Sequence, residues 1–418
     1  MSPIVMKFGG TSVADLDRIN HVADLVAEQA RTSTGGVAVI VSAMAGETNR
    51  LVGLANGAAG SALVGEAFDD EYDVIVASGE QVTSGLLALA LRRRGFRARS
   101  WLGWQMPMIT NHVHGKARIE DIEGNGFPEA IASGEIAVVA GFQGRTEDGR
   151  ITTLGRGGSD TSAVAVAAAL NAARCDIYTD VDGVYTTDPR IVPKARRIDR
   201  ISYEEMLEMA SLGAKVLQTR SVELAMNHGV PIRVLSSFVD TGDQQNSGTL
   251  VCDEDEIMEK QVVSGIAYSR DEAKISLLGV SNHPGIAADI FSRLAAANIN
   301  VDMIVQADSR GPETANMVFT CTERDSELAV SVLTDARDEI GFDRIVVDKD
   351  VAKVSVIGVG MRSHTGVAKT MFDALFAKGI NIQVISTSEI KISVLIDSSY
   401  TELAVRALHS AYGLDTVS

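Results

Sequence analysis

The sequence predicts an α/β protein with a mainly parallel central sheet, followed by a duplicated pair of small α+β units. Three observations carry this. Short Val/Ile/Ala runs alternate with stretches of helical periodicity through residue 252, which is the signature of βαβ units. A stretch near the C-terminus then repeats itself. Aromatic residues make up only 5% of a chain that is 45% hydrophobic, a balance that suits aliphatic central strands under Ala-rich helices. At 418 residues the chain is too long for one ordinary core and predicts two or three domains.

Ile4–Phe8 reads as a short buried strand ended by Gly9-Gly10, and Val13 to Ala30 as a helix with Leu16, Ile19, Val22 and Val26 at helical spacing. Val37–Val41 is a second strand, followed by a Ser/Gly loop and another helix. The alternation continues with a strand at Asp73–Ala77 and a helix to Arg94, then strands at Ile136–Ala140, Cys175–Thr179 and Val230–Leu235. Ser202-Tyr203-Glu204-Glu205 has the capping-box pattern and opens a helix toward Leu212. The acidic stretch from residue 253 loses the pattern and reads as a linker over 253–261. Beyond it, Ile275–Ile304 matches Val354–Ile385, pairing Gly279 with Gly358, Gly285 with Gly366, Phe291 with Phe372 and Asn300 with Asn381. Each copy reads strand, glycine loop, helix, strand, a further strand (Thr314–Thr320; Ile390–Ile396) and a second helix. The domains expected are therefore 1–252, 262–345 and 346–418, with a strand at 262–269 that can pair with the last of them.

The formal charge of −17 argues against a nucleic-acid surface or a membrane-binding face, so anionic substrates would need basic residues gathered locally. Cys175, Cys252 and Cys321 form neither a disulfide framework nor a zinc spacing, and the chain reads as reduced and cytoplasmic. No basic-then-apolar leader opens it, and no apolar run is expected to reach spanning length.

Three segments carry chemistry. Lys7-Phe8-Gly9-Gly10-Thr11-Ser12 runs from a strand through two glycines into a helix, where amides and Lys7 favour an anion; it is not a Walker A loop, and alone it equally fits a tight turn. Thr153-Leu154-Gly155-Arg156-Gly157-Gly158-Ser159-Asp160-Thr161-Ser162 leads into an Ala/Val helix, with Ser159 as N-cap and Arg156 able to hold a carboxylate in two-pronged fashion. Thr179 to Arg190 ends a strand in acidic turn residues and offers Tyr185 for stacking and Arg190 for a phosphate, although Asp-Gly and Asp-Pro are also plain turn formers.

These motifs, with SGE at Ser78–Glu80 and GAKVLQ at Gly213–Gln218, resemble aspartate kinase of the amino-acid kinase superfamily, and the C-terminal repeat resembles that family's paired ACT domains. The resemblance covers essentially the whole chain. It implies that Lys7, Gly9, Gly10 and Ser12 cradle the transferring phosphoryl group. It implies that Thr179, Asp180, Tyr185, Arg190 and Lys215 hold ATP with its Mg²⁺, and that Ser42, Thr48, Glu80, Arg156 and Asp160 bind L-aspartate. Lys7, Arg156 and Asp160 are the expected catalytic residues, with Asp160 either meeting the substrate ammonium or orienting a lysine; no protein-bound metal is expected. A side-chain carboxylate has a pKa near ~4 and is already an ionised nucleophile, so no catalytic base is assigned. The work is to position two anions and neutralise the charge on the transferring group. The product would be 4-phosphoaspartate, opening the route to lysine, threonine, methionine and diaminopimelate.

Regulation follows from the resemblance as well. Asn282-His283-Pro284-Gly285 precedes a helix, with Pro284 near its first position, and offers amides to an effector carboxylate; Ala287 and Gln306 belong to the same site. Ser386, Thr387, Ser388 and Glu389 match the effector-bearing segment of the second copy. Lysine, threonine or both are the expected effectors, although many relatives carry an acid where this chain has Asn282. Pairing through the repeats implies at least a homodimer. Met258 stands where an internal start would give a separately made regulatory subunit, as in one branch of the family.

The rival readings are a glutamate or acetylglutamate kinase of the same superfamily, and a sensor that keeps the fold without turnover. His112 and His114 share a strand face but have no third ligand for zinc, and Arg92-Arg93-Arg94 reads as a solvated helix end.

Overall fold

The computed structural model describes residues 2–60, 66–106, 108–122, 126–213, 216–238, 248–257, 261–311 and 313–416. The elements of the first part run β1 (Ile4–Phe8), α1 (Leu16–Thr32), β2 (Val37–Val41), α2 (Glu47–Ala59), α3 (Glu66–Val76), α4 (Ser78–Arg93), β3 (Ala98–Trp101), β4 (Met108–Thr110), β5 (Ile119–Ile122) and α5 (Phe127–Ala132). They continue with β6 (Ile136–Ala140), β7 (Gln143–Arg145), β8 (Ile151–Thr153), α6 (Gly158–Ala169), β9 (Arg174–Thr179), β10 (Arg200–Ser202), α7 (Tyr203–Ser211), α8 (Thr219–His228), β11 (Ile232–Ser236) and β12 (Thr249–Cys252). Eight strands form one sheet in the order β10-β12-β11-β9-β1-β2-β6-β3. Every pairing in it is parallel except that of β11 with β12. Residues of β1, β2 and β6 are all buried, as expected of strands covered on both faces. A smaller sheet, β5-β4-β7-β8, stands apart from it.

The capping box at Ser202–Glu205 closes reciprocally: the Ser202 N–H donates to Glu205 Oε2 (3.1 Å) and the Glu205 N–H to Ser202 Oγ (3.2 Å). Three expectations fail. Asp73–Ala77 is not a strand, since Asp73–Val76 complete α3; a short apolar run fits a buried helix turn as well as a strand. Helix α1 begins at Leu16, capped by Asp15, and Leu16 stands ahead of the buried stripe at 60% exposure while Ile19, Val22 and Val26 are buried. By length and composition the helical stretch Phe68–Arg93 holds an 18-residue window apolar enough to cross a membrane, contrary to the expectation that no run would reach that length. Half of that window is buried inside the protein, as in a core helix, and Ala77 separates its two helices.

The second part comprises β13 (Gly265–Ser269), β14 (Ala273–Ser281), α9 (Ile286–Ala296), β15 (Asp302–Gly311), β16 (Thr314–Cys321), α10 (Ser326–Asp335), α11 (Arg337–Ile340) and β17 (Arg344–Asp348). Its second copy is β18 (Val351–Ile357), α12 (Val367–Phe376), β19 (Val384–Thr387), β20 (Lys391–Asp397) and α13 (Thr401–Ala411). The repeat folds twice into a four-stranded sheet, β15-β16-β14-β17 and β13-β18-β20-β19. The outer strand beside β18 is supplied by β13, from before the first copy. Met303, Val351, Val384 and Leu395 form a small cluster shared by the two copies. Beside it, the buried Lys353 ammonium pairs with Glu272 (2.7 Å) and Asp302 (2.8 Å).

The chain divides into two compact units that are not contiguous in sequence. Tyr185–Arg196 and Ser211–Ala214 belong with the repeats. Ile191 and Val192 lie in the core of the second copy, Thr186 Oγ1 hydrogen-bonds His409 Nε2 (2.9 Å), and Arg406 Nε donates to the Ile191 carbonyl (3.1 Å).

One polar group sits deep in the first unit's sheet. Asp176 on β9 is fully buried and accepts from Arg174 Nε (2.9 Å), Arg233 Nε (3.0 Å) and Arg233 Nη2 (2.9 Å). Asp176→Ala would leave two partly buried guanidinium groups without their counter-charge. A loss of about 3 kcal/mol is expected, read as a lower urea midpoint; an unchanged midpoint would refute it.

Candidate active site

Lys7 is the fourth residue of β1, between β2 and β9, where both faces of the sheet are covered. A charge there needs a partner. It has one: Lys7 Nζ lies 2.5 Å from Asp160 Oδ1, with the two side chains only 10% and 11% exposed. Asp160 stands in the first turn of α6, all but two of whose residues are buried. That helix is capped by Gly157, not by Ser159, which lies one position inside it. Only glycine meets both demands at 157: φ is +74°, and a Cβ would fall 2.1 Å from Gln218 Cγ. The preceding Arg156 is exposed and has no hydrogen-bond or ion-pair partner among the described residues.

A cleft of about 310 Å³ opens at this edge of the sheet. It brings together Lys7, Gly10, Ser42, Thr48, Glu80, Arg156 and Asp160 from the expected set. Gly10 allows the first loop to approach the second, since a Cβ there would be 3.0 Å from the Ala43 carbonyl oxygen. Glu80, in the first turn of α4, is 3% exposed. Its Oε1 accepts from the Ala43 N–H (3.0 Å), while Oε2 has no partner among the described residues. Burial pushes its carboxyl up to about 7, against the opposing pull of the backbone hydrogen bonds.

Other expected residues stand elsewhere. Gly9 flanks the cleft, its N–H directed at the Tyr178 carbonyl (3.4 Å). Ser12 is fully buried, and its hydroxyl is engaged with Ser237 Oγ (2.7 Å). Thr179 and Asp180 follow one another off β9, with Thr179 Oγ1 donating to Asp180 Oδ1 (3.1 Å). Tyr185 and Arg190 belong to the second unit, where Arg190 pairs with Asp188 (2.8 Å). Lys215 and Met258 lie outside the described residues. Among the lining residues without an assigned role are Gln218, although it ends a quoted motif, and Phe142, whose positive φ of 69° leaves no mark in the sequence.

His112 and His114 sit in a loop, not on a strand, and His114 Nδ1 lies 2.9 Å from Asp73 Oδ2; no group of three metal ligands occurs among the described residues. Arg92, Arg93 and Arg94 each have a partner, in the Ala98 carbonyl (2.7 Å), Asn20 (2.6 Å) and Asp24 (2.7 Å).

In the second unit, α9 is capped by Gly285 at φ +99°, so Pro284 lies before the cap and not at the first helical position. Gln306 Nε2 on β15 reaches Asn282 Oδ1 (3.4 Å), which draws two of the expected effector residues together, and Ala287 packs partly buried on the first copy's core. Ser386 and Thr387 end β19, the Ser388 N–H donates to the Lys391 carbonyl (2.8 Å), and Glu389 lies 3.3 Å from Arg362.

A cleft with two cationic groups, a buried carboxylate with one oxygen unpartnered among the described residues, and a helix start can hold a small zwitterion beside a phosphate. Comparison with known proteins agrees. Residues 2–236 match the amino acid kinase family, and residues 274–336 and 354–412 match the ACT domain. The chain is 52% identical over 417 residues to an aspartokinase of Pseudomonas aeruginosa, covering 99% of this chain and 98% of the relative. It superposes on E. coli aspartokinase III in complex with aspartate and ADP with a TM-score of 0.81 at 30% identity, covering 98% and 99% of the two chains. The same E. coli enzyme in complex with lysine and aspartate gives a TM-score of 0.76 at 31% identity, with the same coverage. The chain belongs to the amino acid kinase family and, within it, to the aspartate kinases that carry paired ACT domains.

Proposed function

We propose that this enzyme uses ATP to phosphorylate the side-chain carboxylate of L-aspartate, giving 4-phospho-L-aspartate for lysine, threonine, methionine and diaminopimelate synthesis. The observation that carries this is the convergence of Glu80, Arg156 and the Lys7–Asp160 pair on one cleft. The unpaired Glu80 oxygen would take the substrate ammonium, Arg156 a carboxylate, and Ser42 and Thr48 would complete the polar wall. Asp160 would hold Lys7 toward the transferring group, beside the amides of Gly10 and the start of α6, while the Gly9 amide is turned to the Tyr178 carbonyl. The nucleotide would lie beyond β9 against Thr179 and Asp180. Its Mg²⁺ would be held by phosphate oxygens and would neutralise their charge. The aspartate carboxylate attacks already ionised, so the site needs no general base.

Residues 1–252 would form the catalytic domain, 253–261 the linker, and 262–345 and 346–418 the two regulatory domains. Lysine, threonine or both would act through Asn282, Gly285, Ala287 and Gln306 in the first copy and Ser386–Glu389 in the second. Association through the ACT domains would give at least a dimer, with a separately made regulatory subunit as a further partner, in a cytoplasmic enzyme.

The carboxylate and phosphoryl roles separate kinetically. Lys7→Ala should lower kcat by ~10²–10³ with a smaller change in the KM for aspartate, because its charge acts on the transition state. Arg156→Ala should chiefly raise the KM for aspartate, and Arg156→Lys should restore it only in part, lacking the planar fork. Steady-state ADP release reads both; normal kcat in the first variant, or normal KM in the second, would refute the assignment.

Glu80 sets a pH dependence. A carboxyl raised to about 7 is neutral below that pH and cannot offset an ammonium, so aspartate binding should weaken as pH falls through 7. The KM for aspartate should rise about fivefold to tenfold from pH 8 to pH 6. Glu80→Gln should raise it throughout and flatten the profile; an unchanged profile would show that another group titrates.

For regulation, Gly285→Asp should abolish inhibition by lysine plus threonine and spare uninhibited activity. The left-handed backbone strains under any side chain, and the new charge would face the effector carboxylate. Coupling of ~1–3 kcal/mol is small enough for one such change to erase. Inhibition curves decide it: the same half-inhibitory concentration in the variant would refute the site.

A further inference from the structure

We propose that Asp73 and Arg220, neither of which lines the cleft, are positioning residues that together fix the Arg156 loop for carboxylate binding. This rests on the reading of Arg156 given above.

Asp73 is fully buried in α3, where a carboxylate survives only if its oxygens are satisfied. Its acceptors are spent on two stretches of backbone. The Gly115 N–H donates to both oxygens (3.1 and 3.0 Å), the Thr153 N–H to Oδ2 (3.0 Å), and the Thr153 hydroxyl to Oδ1. His114 Nδ1 completes the set at 2.9 Å. Arg220, in the first turn of α8, spends its donors on the residues next in line: Nη1 on the Leu154 carbonyl and Nη2 on the Ala117 carbonyl, both at 2.9 Å. Burial pulls its guanidinium below the ordinary arginine range, with Arg118 adding to the effect.

The carboxylate thus grips amides, and the guanidinium carbonyls, of the same two segments. Those segments are bonded to each other by the Ala117 N–H and the Thr153 carbonyl (2.9 Å). They lead straight to the site. Gly155, at φ +75°, lies against the Gly115 turn, where a Cβ would be 3.1 Å from the Gly115 carbonyl oxygen. Gly157 then caps α6. Arg156 is suspended between Thr153–Leu154 and that cap. With no described partner of its own, its guanidinium takes its direction from how firmly this backbone is held. A site displaced by about 1 Å can lose ~10²-fold in rate, so the grip matters to chemistry as well as to folding.

The test uses the full-length enzyme and three variants. Asp73→Asn replaces one acceptor by a donor, Thr153→Val removes only the hydroxyl while keeping the branched shape, and Arg220→Lys keeps the charge but not the two-pronged grip. Each should raise the KM for aspartate, about tenfold for Asp73→Asn and about threefold for the milder pair, with the KM for ATP unchanged and kcat less affected. In an Arg156→Ala background the same changes should add less than about twofold, because they act through the missing guanidinium. If Asp73→Asn fails to fold, Thr153→Val and Arg220→Lys carry the comparison. Unchanged aspartate KM in the folded variants, an equal rise in the Arg156→Ala background, or a parallel rise in the KM for ATP would each overturn the inference. If Arg156→Ala itself leaves the aspartate KM unaltered, both this inference and the reading of Arg156 fall; if it raises KM and the three variants do not, only this inference falls.

Discussion

The pair between Lys7 and Asp160 is the interaction on which the rest of the site depends. Lys7 is a buried residue of a central parallel strand, and its charge is tolerable only against a fixed counter-charge. Asp160 supplies it from α6, which ties the start of that helix to the end of β1. Once the helix start is tied there, Gly157 must pass close to Gln218, and Arg156 must leave the chain at the rim of the cleft. Glu80 enters the same cleft from α4 with one oxygen that has no partner among the described residues. A buried carboxylate without a full complement of partners costs stability, which is the usual mark of a group kept for a ligand.

The central strands were legible because a strand buried on both faces is a continuous apolar run of strand length, as in Val37–Val41 and Ile136–Ala140. Asp73–Val76 defeated the same reasoning, since four residues of α3 look no different in sequence and only their place beside α4 makes them helical. Both helix caps at glycine loops were misplaced for one reason. Side-chain rules pick Ser159 and Pro284, whereas the backbone conformation at Gly157 and Gly285 decides where each helix starts. In the cleft, Lys7, Gly10, Glu80, Arg156 and Asp160 stand in short motifs of the sequence, whereas Ser42 and Thr48 were expected only from the family resemblance. Asp73 and Arg220 were not: they act on backbone 80 and 103 residues away, and no local pattern encodes such a contact.

The duplicated region shows one local solution used twice and then modified. Gly285 and Gly366 cap corresponding helices at φ +99° and +93°, so the sequence match reflects a shared backbone demand. The outer strands break the symmetry. The first copy closes its sheet with its own β17, whereas the second takes β13 from upstream, so neither copy is an independent piece of chain. The Lys353 cluster spans the two copies in the same way. Tyr185–Arg196 extends this logic, for it leaves β9 in sequence but buries Ile191 and Val192 in the second copy's core.

The overall charge explains why so much of the site is spent on holding backbone. At −17 the chain repels anions at long range, and the substrates proposed here are anions. Attraction must come at short range, where the low dielectric of a partly buried cleft makes one guanidinium or ammonium count, but only at the right distance. Such a site gains little from extra positive charge and much from rigidity. Lys7 is held by Asp160, and the Arg156 loop is held by a carboxylate and a guanidinium that never face the cleft. The charged residues behind the site are thus the counterpart of the few within it: in an acidic protein, anion recognition rests on where a small number of cations are kept.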